Sequence, residues 1–388
     1  MKRTFDAVII GAGSVGVPIA YELSRSGLSV LVIERHPSVG QGQNKSAIGG
    51  VRATHSDAAK ILLGKESIEI FSSWEDEQGD KIGWKQGGYC FPVYREEEET
   101  TLREILPFQK GFDLHTDWVD PGTIREIVPG INPEGLRGGI YSPEDGEVSP
   151  VLFQSSLYRA ADRAGCEFRF QETVTGIGIE GGKVVSVATD KGAYGTGIVV
   201  NAAGAHAKKV GELTGLCLPV QPESHEAGIS SPVEHFLKPM VVDMRPGPEG
   251  KTANFYFSQA AEGPVIFCYT PKASIPGLNR ESTSEFLPVL AERLISLLPR
   301  CRNLLIRRIW RGLYPMTPDG YPICGKVNEI EGMYLAAGMC GQGFMLGPGI
   351  GRNMAHLIVE GKPLIPQEVF DTIGYHRNFE GPDKEALT

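Results

Sequence analysis

A mixed α/β (α+β) fold, with one α/β domain interrupted by a β-rich one, follows from three features of the sequence. A strand–glycine loop–helix–strand unit opens the chain at residues 5–34. The order strand, glycine loop, helix returns at 332–359. Between them, 84–147 and 218–307 hold short alternating apolar runs broken by turn residues, with one helical stretch at 284–298. An insertion explains this order better than two consecutive domains. The predicted division is 1–83, 148–217 and 308–372 for a discontinuous Rossmann-like domain, 84–147 and 218–307 for the inserted domain, and 373–388 for a C-terminal tail.

Each element has a local reason. Residues 5–10 read as a strand that ends in the apolar run Ala7 to Ile10, as a strand covered on both faces requires. A helical pattern leads from the glycine loop to Arg25, and Gly27 stops it. Residues 29–34 repeat the buried-strand pattern. Residues 38–52 form a Gly/Ser/Gln-rich loop, and 56–75 place Ile61, Leu62, Ile68 and Phe71 on one helical face. The acidic stretch Glu96 to Glu99 lies on a solvated surface or opens a helix. A helix is predicted over 151–164, a strand over 167–171, a hairpin around Gly181-Gly182 and a buried strand over 197–201.

Composition narrows the function. Lys+Arg 38 against Asp+Glu 47 gives a net charge of −9, which argues against a general nucleic-acid or anionic-membrane binder. No apolar run reaches the ~18 residues of a membrane-spanning helix. Lys2 and Arg3 are followed by too short an apolar run for a signal peptide, so a cytoplasmic address is expected. Seven cysteines, at 90, 166, 217, 268, 301, 324 and 340, form no C-x-x-C and suit a reducing compartment. No metal-ligand spacing occurs among the His and acidic residues, so no metal is expected.

Gly11-Ala12-Gly13-Ser14-Val15-Gly16 follows a strand and opens a helix, and Glu34 ends the next strand. Gly11 makes the tight turn, Gly13 lets a pyrophosphate approach the helix N-terminus, and Gly16 allows close helix–strand packing. Glu34 is placed to accept from a ribose 2′-hydroxyl. An ADP-containing dinucleotide is therefore expected. NAD and FAD share that half. The N-terminal position, the loop after Glu34 and the second unit, Gly341-Gln342-Gly343-Phe344-Met345, suit FAD, with a helix N-terminus aimed at the flavin. A separate NAD site or a packing turn are the other readings of that unit.

These motifs, with Gly49-Gly50-Val51-Arg52, Val199-Val200-Asn201-Ala202-Ala203-Gly204-Ala205 and the run from Trp310 to Pro322, resemble the D-amino-acid oxidase superfamily of flavoproteins. The branch they resemble most holds the sarcosine oxidases, glycine oxidases and amine-dehydrogenase β-subunits. The resemblance implies an FAD domain and a large, mostly antiparallel sheet carrying the substrate. It implies oxidation of a C–N bond beside a carboxylate, hydride passing to flavin N5 and the imine then hydrolysing. It assigns the cofactor to Gly11 through Gly16, to Glu34, Arg35, Gln43, Asn44, Lys45, Ser46 and Gly50, to Val174, to Ala202, Ala203 and Gly204, and to Gly312 and Gly341 through Met345. It makes Arg52 the holder of the substrate carboxylate. A structural ion pair is the alternative for that arginine.

Departures from the family pattern matter. Covalent-flavin members carry Cys where Gly312 stands or His near residues 45–47, so FAD is expected to be non-covalent. Glycine and D-amino-acid oxidases carry a carboxylate-binding Arg where Tyr314 stands. Sarcosine oxidase carries Lys where Met345 stands, and its oxygen-activating Lys falls on Ile266, which raises a dehydrogenase passing electrons to a carrier instead of O2. His225, Tyr256 and Tyr269 are further candidates for the substrate wall, with packing as the alternative for each. Arg311 is a second candidate carboxylate anchor, with a structural pair as the favoured reading. The expected activity is FAD-dependent oxidation of a secondary amine or N-substituted amino acid, an N-alkylglycine or an iminodiacetate-like compound. The alternatives are a 2-hydroxy-acid dehydrogenase with His225 as base, a flavin subunit of a multi-chain complex, and an NAD-dependent dehydrogenase. A partner subunit or homo-oligomer is compatible with the resemblance.

Overall fold

A computed structural model describes residues 3–247 and 250–380. Lys2 and residues 381–388 of the predicted tail lie outside the described residues.

The α/β part is built on a six-stranded sheet in the order Ile323–Lys326, Met333–Ala337, Ile198–Asn201, Ala7–Ile10, Val30–Glu34, Glu167–Phe170. All pairings are parallel except the first. Side chains alternate between the faces with the period of two a strand imposes. Ala7, Ile9, Val30 and Val32 join a core with the helices Gly16–Arg25, Ala58–Gln78, Pro150–Arg163 and Gly343–Glu360. Val8, Ile10, Leu31 and Ile33 pack on the opposite face against Ile177, Val184 and Val187 of a separate four-stranded sheet. That small sheet contains the hairpin of Val174–Glu180 and Lys183–Thr189. Its turn residues Gly181 and Gly182 have φ of 57° and 80°, the positive values a two-residue type I′ turn needs. The acidic stretch opens the helix Glu96–Lys110, four glutamates sitting where the helix dipole favours them.

The second layer is an eight-stranded sheet in the order Ile306–Met316, Gln221–Ser230, Val265–Pro271, Thr252–Gln259, Met240–Asp243, Tyr89–Val93, Gly138–Ser142, Asp117–Val119. It is antiparallel apart from the pairing of Met240–Asp243 with Tyr89–Val93. The strand Ile306–Met316 pairs along its length with Gln221–Ser230. The division predicted at residue 308 therefore cuts a strand whose hydrogen bonds lie wholly in the large sheet. The tail also needs correction at its start. Ile373 is buried, its carbonyl accepts from the Cys324 N–H, and Arg377 forks onto Asp319.

Register decides which residues of this sheet face the site. Tyr256 stands opposite Cys268, and Phe255 opposite Tyr269. Phe255, Phe257, Phe267 and Tyr269 turn to the helix Phe286–Leu297. Tyr256, Met240 and Val242 turn the other way.

Candidate active site

One cavity of about 830 Å³ runs between the two sheets, within the range of roughly 300–1,000 Å³ for small-molecule sites. Its nucleotide half is made by the fingerprint. Gly11 has φ 108°, and a Cβ there would lie 2.6 Å from the Ala202 carbonyl oxygen. A Cβ on Gly16 would lie 2.0 Å from the Gly11 oxygen. At Gly13 a Cβ would meet nothing within 4 Å, so the loop is open on that side. Gly11, Gly13, Ser14 and Val15 line the cavity at the N-terminus of helix Gly16–Arg25, whereas Gly16 itself is a packing residue.

Glu34 is buried at the strand end, accepting from the Ala12 N–H and the His36 N–H, both at 2.9 Å. Ala12 is thus spent on holding the loop and does not line the cavity. Arg35 donates to His206 Nε2 at 2.8 Å. Burial and then the neighbouring Arg35, Lys209 and His36 push His206 down to about 4, so it stays a neutral acceptor. Gln43 accepts from the Leu313 N–H at 2.6 Å, and Asn44 donates to the Pro150 carbonyl at 2.9 Å. Ser46, Gly50, Val174, Ala202, Ala203 and Gly204 line the same cavity. Lys45 does not: its ammonium turns to Gln41 at 3.0 Å, one helical turn back.

At the other half, Cys340 and Gly341 take φ of 46° and 83° before the helix Gly343–Glu360. A Cβ on Gly341 would lie 2.4 Å from the Tyr314 ring. Gln342, Gly343, Phe344 and Met345 line the cavity there, and Gly312 faces Ser46. Tyr314 and Tyr256 share a hydroxyl hydrogen bond of 2.9 Å. His225 stacks on Tyr314 with ring centres 3.8 Å apart. Burial pushes the imidazole down to about 4, so it is neutral near pH 7. Arg52 is buried in the wall, donates to the Thr54 carbonyl and lies over the Phe91 ring. Behind it burial pushes Asp145 up to about 6, against hydrogen bonds from Thr54, Ala53 and Ser142 and the pull of Arg52.

Two further expectations, for Tyr269 and Ile266, need correction. Tyr269 lies on the far face, stacked on Phe286, because the register gives the cavity position to Cys268. Arg311 takes the favoured of its two readings, a structural pair: it binds buried Glu226 at 3.1 Å. Ile266 does not line the cavity, so it does not occupy the place of a flavin-facing lysine. Residues the sequence reading passed over line the site too, among them Tyr89, Asn254, Thr270, Leu278 and Arg280. Among the described residues no group of His, Cys, Asp or Glu is arranged to hold a metal ion, and no helix is long and apolar enough to cross a membrane.

The cavity suits a long polar-and-aromatic group. Two helix N-termini open onto it, and three buried atoms of its wall, Asn44 Oδ1, Gln342 Oε1 and His225 Nδ1, have no protein partner. Residues 6–357 match the family model described as DAO, FAD dependent oxidoreductase. The chain belongs to that family. FAD is its cofactor, and Gly13, Ser14, Glu34, Asn44 and Gln342 are the residues of this cavity suited to hold it. The crystal structure of L-proline dehydrogenase from P. horikoshii superposes with a TM-score of 0.90 at 31% identity, covering 97% of this chain and 98% of that one. Glycine oxidase from Geobacillus kaustophilus (strain HTA426) is 28% identical over 377 residues, 92% of this chain and 94% of the enzyme. Mitochondrial sarcosine dehydrogenase of Mus musculus is 25% identical over 395 residues, 97% of this chain and 42% of that protein. The chain thus spans less than half the length of that relative.

The cavity thiols bear on how the flavin is held. Burial pushes Cys268 up to about 12, and it raises Cys340 above its ordinary value. Neither is a ready thiolate nucleophile. Acid precipitation of the purified protein should leave a colourless pellet under a yellow supernatant. A yellow pellet would show a covalent link.

Proposed function

We propose that the chain oxidises an amino acid whose nitrogen is a secondary amine. The observation that carries this reading is the buried guanidinium of Arg52 in the wall of the cavity that also holds the dinucleotide loop. A guanidinium fork matches a carboxylate, and burial strengthens the match. Tyr256, Tyr314 and neutral His225 form an uncharged aromatic wall around the remaining space. Such a wall excludes water and leaves the substrate nitrogen without a cationic neighbour to repel it. Bound FAD supplies the acceptor for the hydride leaving the carbon beside nitrogen. The helix N-terminus at Gly343 adds positive potential where negative charge would build up. Release of the imine into water completes hydrolysis without a further protein group.

The similar proteins support the same class, since sarcosine and proline are both secondary amines carrying a carboxylate. We infer that the electrons pass to a carrier, a reading supported by the dehydrogenases among the similar proteins. A flavin subunit acting with a partner chain is part of this reading. A reducing compartment is proposed on the seven free cysteines.

A second reading, oxidation of a 2-hydroxy acid, is favoured by one atom. His225 Nδ1 is buried without a partner, and alcohol oxidation needs a proton acceptor beside the hydroxyl. Anaerobic addition of sarcosine, L-proline, iminodiacetate and lactate to the yellow protein separates the two. Bleaching by the secondary amines is expected. Bleaching by the hydroxy acid alone would replace the amine reading. Slow recolouring in air would mark a dehydrogenase, and rapid recolouring an oxidase.

A further inference from the structure

We propose that Arg280 is a cofactor-binding residue, carried by the segment 272–284 from the large sheet to the nucleotide half of the cavity, where its guanidinium pairs with the pyrophosphate of FAD. This rests on the family's cofactor and not on the amine reading.

The segment is a strap pinned on both sides of Arg280. Ser224 donates its N–H to the Ile275 carbonyl at 2.8 Å and its hydroxyl to the Asn279 carbonyl at 2.7 Å. Gly277 donates to the Pro222 carbonyl at 2.8 Å. On the far side, the N–H and hydroxyl of Thr283 both donate to the buried Glu226 carboxylate at 2.6 Å, which Arg311 holds in place. Between the pins, Glu281 donates to Asn279 Oδ1 at 2.8 Å. The backbone beside Arg280 is therefore fixed. Its side chain is exposed, lines the cavity with Leu278, and has no hydrogen bond or ion pair among the described residues.

What faces it is the nucleotide half. His36 is held below its usual imidazole range by burial, and then by Arg35, Lys45 and Arg280, against the opposing pull of Glu34. So these cations share one neighbourhood although Arg35 and Lys45 belong to the loop after Val30–Glu34 and Arg280 to the strap that follows Val265–Pro271. The acids there are already engaged. Glu34 accepts two backbone N–H groups, and Glu172 accepts from Thr189 and Tyr194. Like charges gathered without a free acid repel one another, and a dianion between them reverses the sign of the interaction. The pyrophosphate is the dianionic part of the cofactor, and the fingerprint loop directs it to this half. Arg280 and the N-terminus of the helix Gly16–Arg25, which border the same cavity, would then both hold that group.

The test uses the holoprotein and reads flavin release on dilution, as the rise of free-flavin fluorescence, at low and high KCl. Arg280→Ala should speed release by roughly fivefold at low salt, the size of an exposed ion pair, and Arg280→Lys should restore most of the loss. The wild-type rate should rise with KCl more steeply than the Ala variant's. Equal release from wild type and the Ala variant at both salts would overturn the proposal. So would unchanged release accompanied by a raised KM for the substrate, because Arg280 would then serve the substrate. Circular dichroism of both variants keeps a folding defect from passing as support: if the Ala variant unfolds, the Lys variant and the wild-type salt dependence decide.

Discussion

Arg52→Met is expected to lower kcat/KM for the bleaching substrate by about 10²–10³-fold while the protein stays yellow. The guanidinium is buried in the cavity wall, so the substrate carboxylate that meets it is desolvated as well. Truncating one side of a buried, hydrogen-bonded charge pair costs about 2–5 kcal/mol, much of it from the charge left without a partner. Met fills the space of the unbranched apolar stem but offers no donor and gives up the guanidinium's place over Phe91. Arg52→Lys keeps the charge and loses the fork, so a smaller loss is expected. The substitution has a second consequence. Asp145 already sits at about 6 because burial outweighs its hydrogen bonds and the attraction of Arg52. Removing that attraction raises it further. A carboxyl raised on folding favours the native state below its unfolded value and loses that contribution as pH rises through the folded one. In Arg52→Met that loss should therefore move from near pH 6 to higher pH. Melting curves between pH 5 and 8 would show it. A kcat/KM within about threefold of wild type would make Arg52 a structural residue only.

How much of this was legible in the sequence depends on whether an element is set locally. The fingerprint was, because Gly11, Gly13, Gly16 and Glu34 each answer to a short-range demand of one strand–helix–strand unit. The hairpin at Gly181-Gly182 was too, since two positive φ values in succession are a local requirement. The wall of the substrate half was not. Whether Cys268 or Tyr269 faces the cavity depends on a cross-strand register that no composition reveals, and a shift of one residue exchanges them. The boundary at 308 failed for a related reason. Its strand reads like the α/β part that follows it, yet its hydrogen bonds go to Gln221–Ser230, some 85 residues earlier. Arg311 illustrates the same limit, as nothing near it in sequence announces Glu226.

The helix Gly343–Glu360 carries a feature the sequence displayed without explaining, and it supports the other large prediction. Gly347, Gly349 and Gly351 occupy alternate positions in a helix, where glycine costs roughly 1 kcal/mol each against alanine. Close approach accounts for all three. A Cβ on Gly347 would lie 2.0 Å from the Ser14 carbonyl oxygen, and one on Gly351 would lie 2.6 Å from Pro18 Cβ. Those contacts press this helix against Gly16–Arg25. A Cβ on Gly349 would lie 2.3 Å from the Leu63 carbonyl on the opposite side, in Ala58–Gln78. The helix is thus wedged between two others by its missing side chains, and one of those contacts is the cofactor loop itself. Gly347→Val should destabilise the fold by about 3 kcal/mol, at the upper end for overpacking, since a backbone carbonyl has nowhere to rotate. It should also displace Ser14 and release flavin, so the purified variant should be pale and melt several degrees early. Gly192→Ala is the control, because a Cβ there meets nothing within 4 Å. A Gly347→Val protein as yellow as wild type, melting within about 2 °C of it, would show that the two helices separate without disturbing the loop.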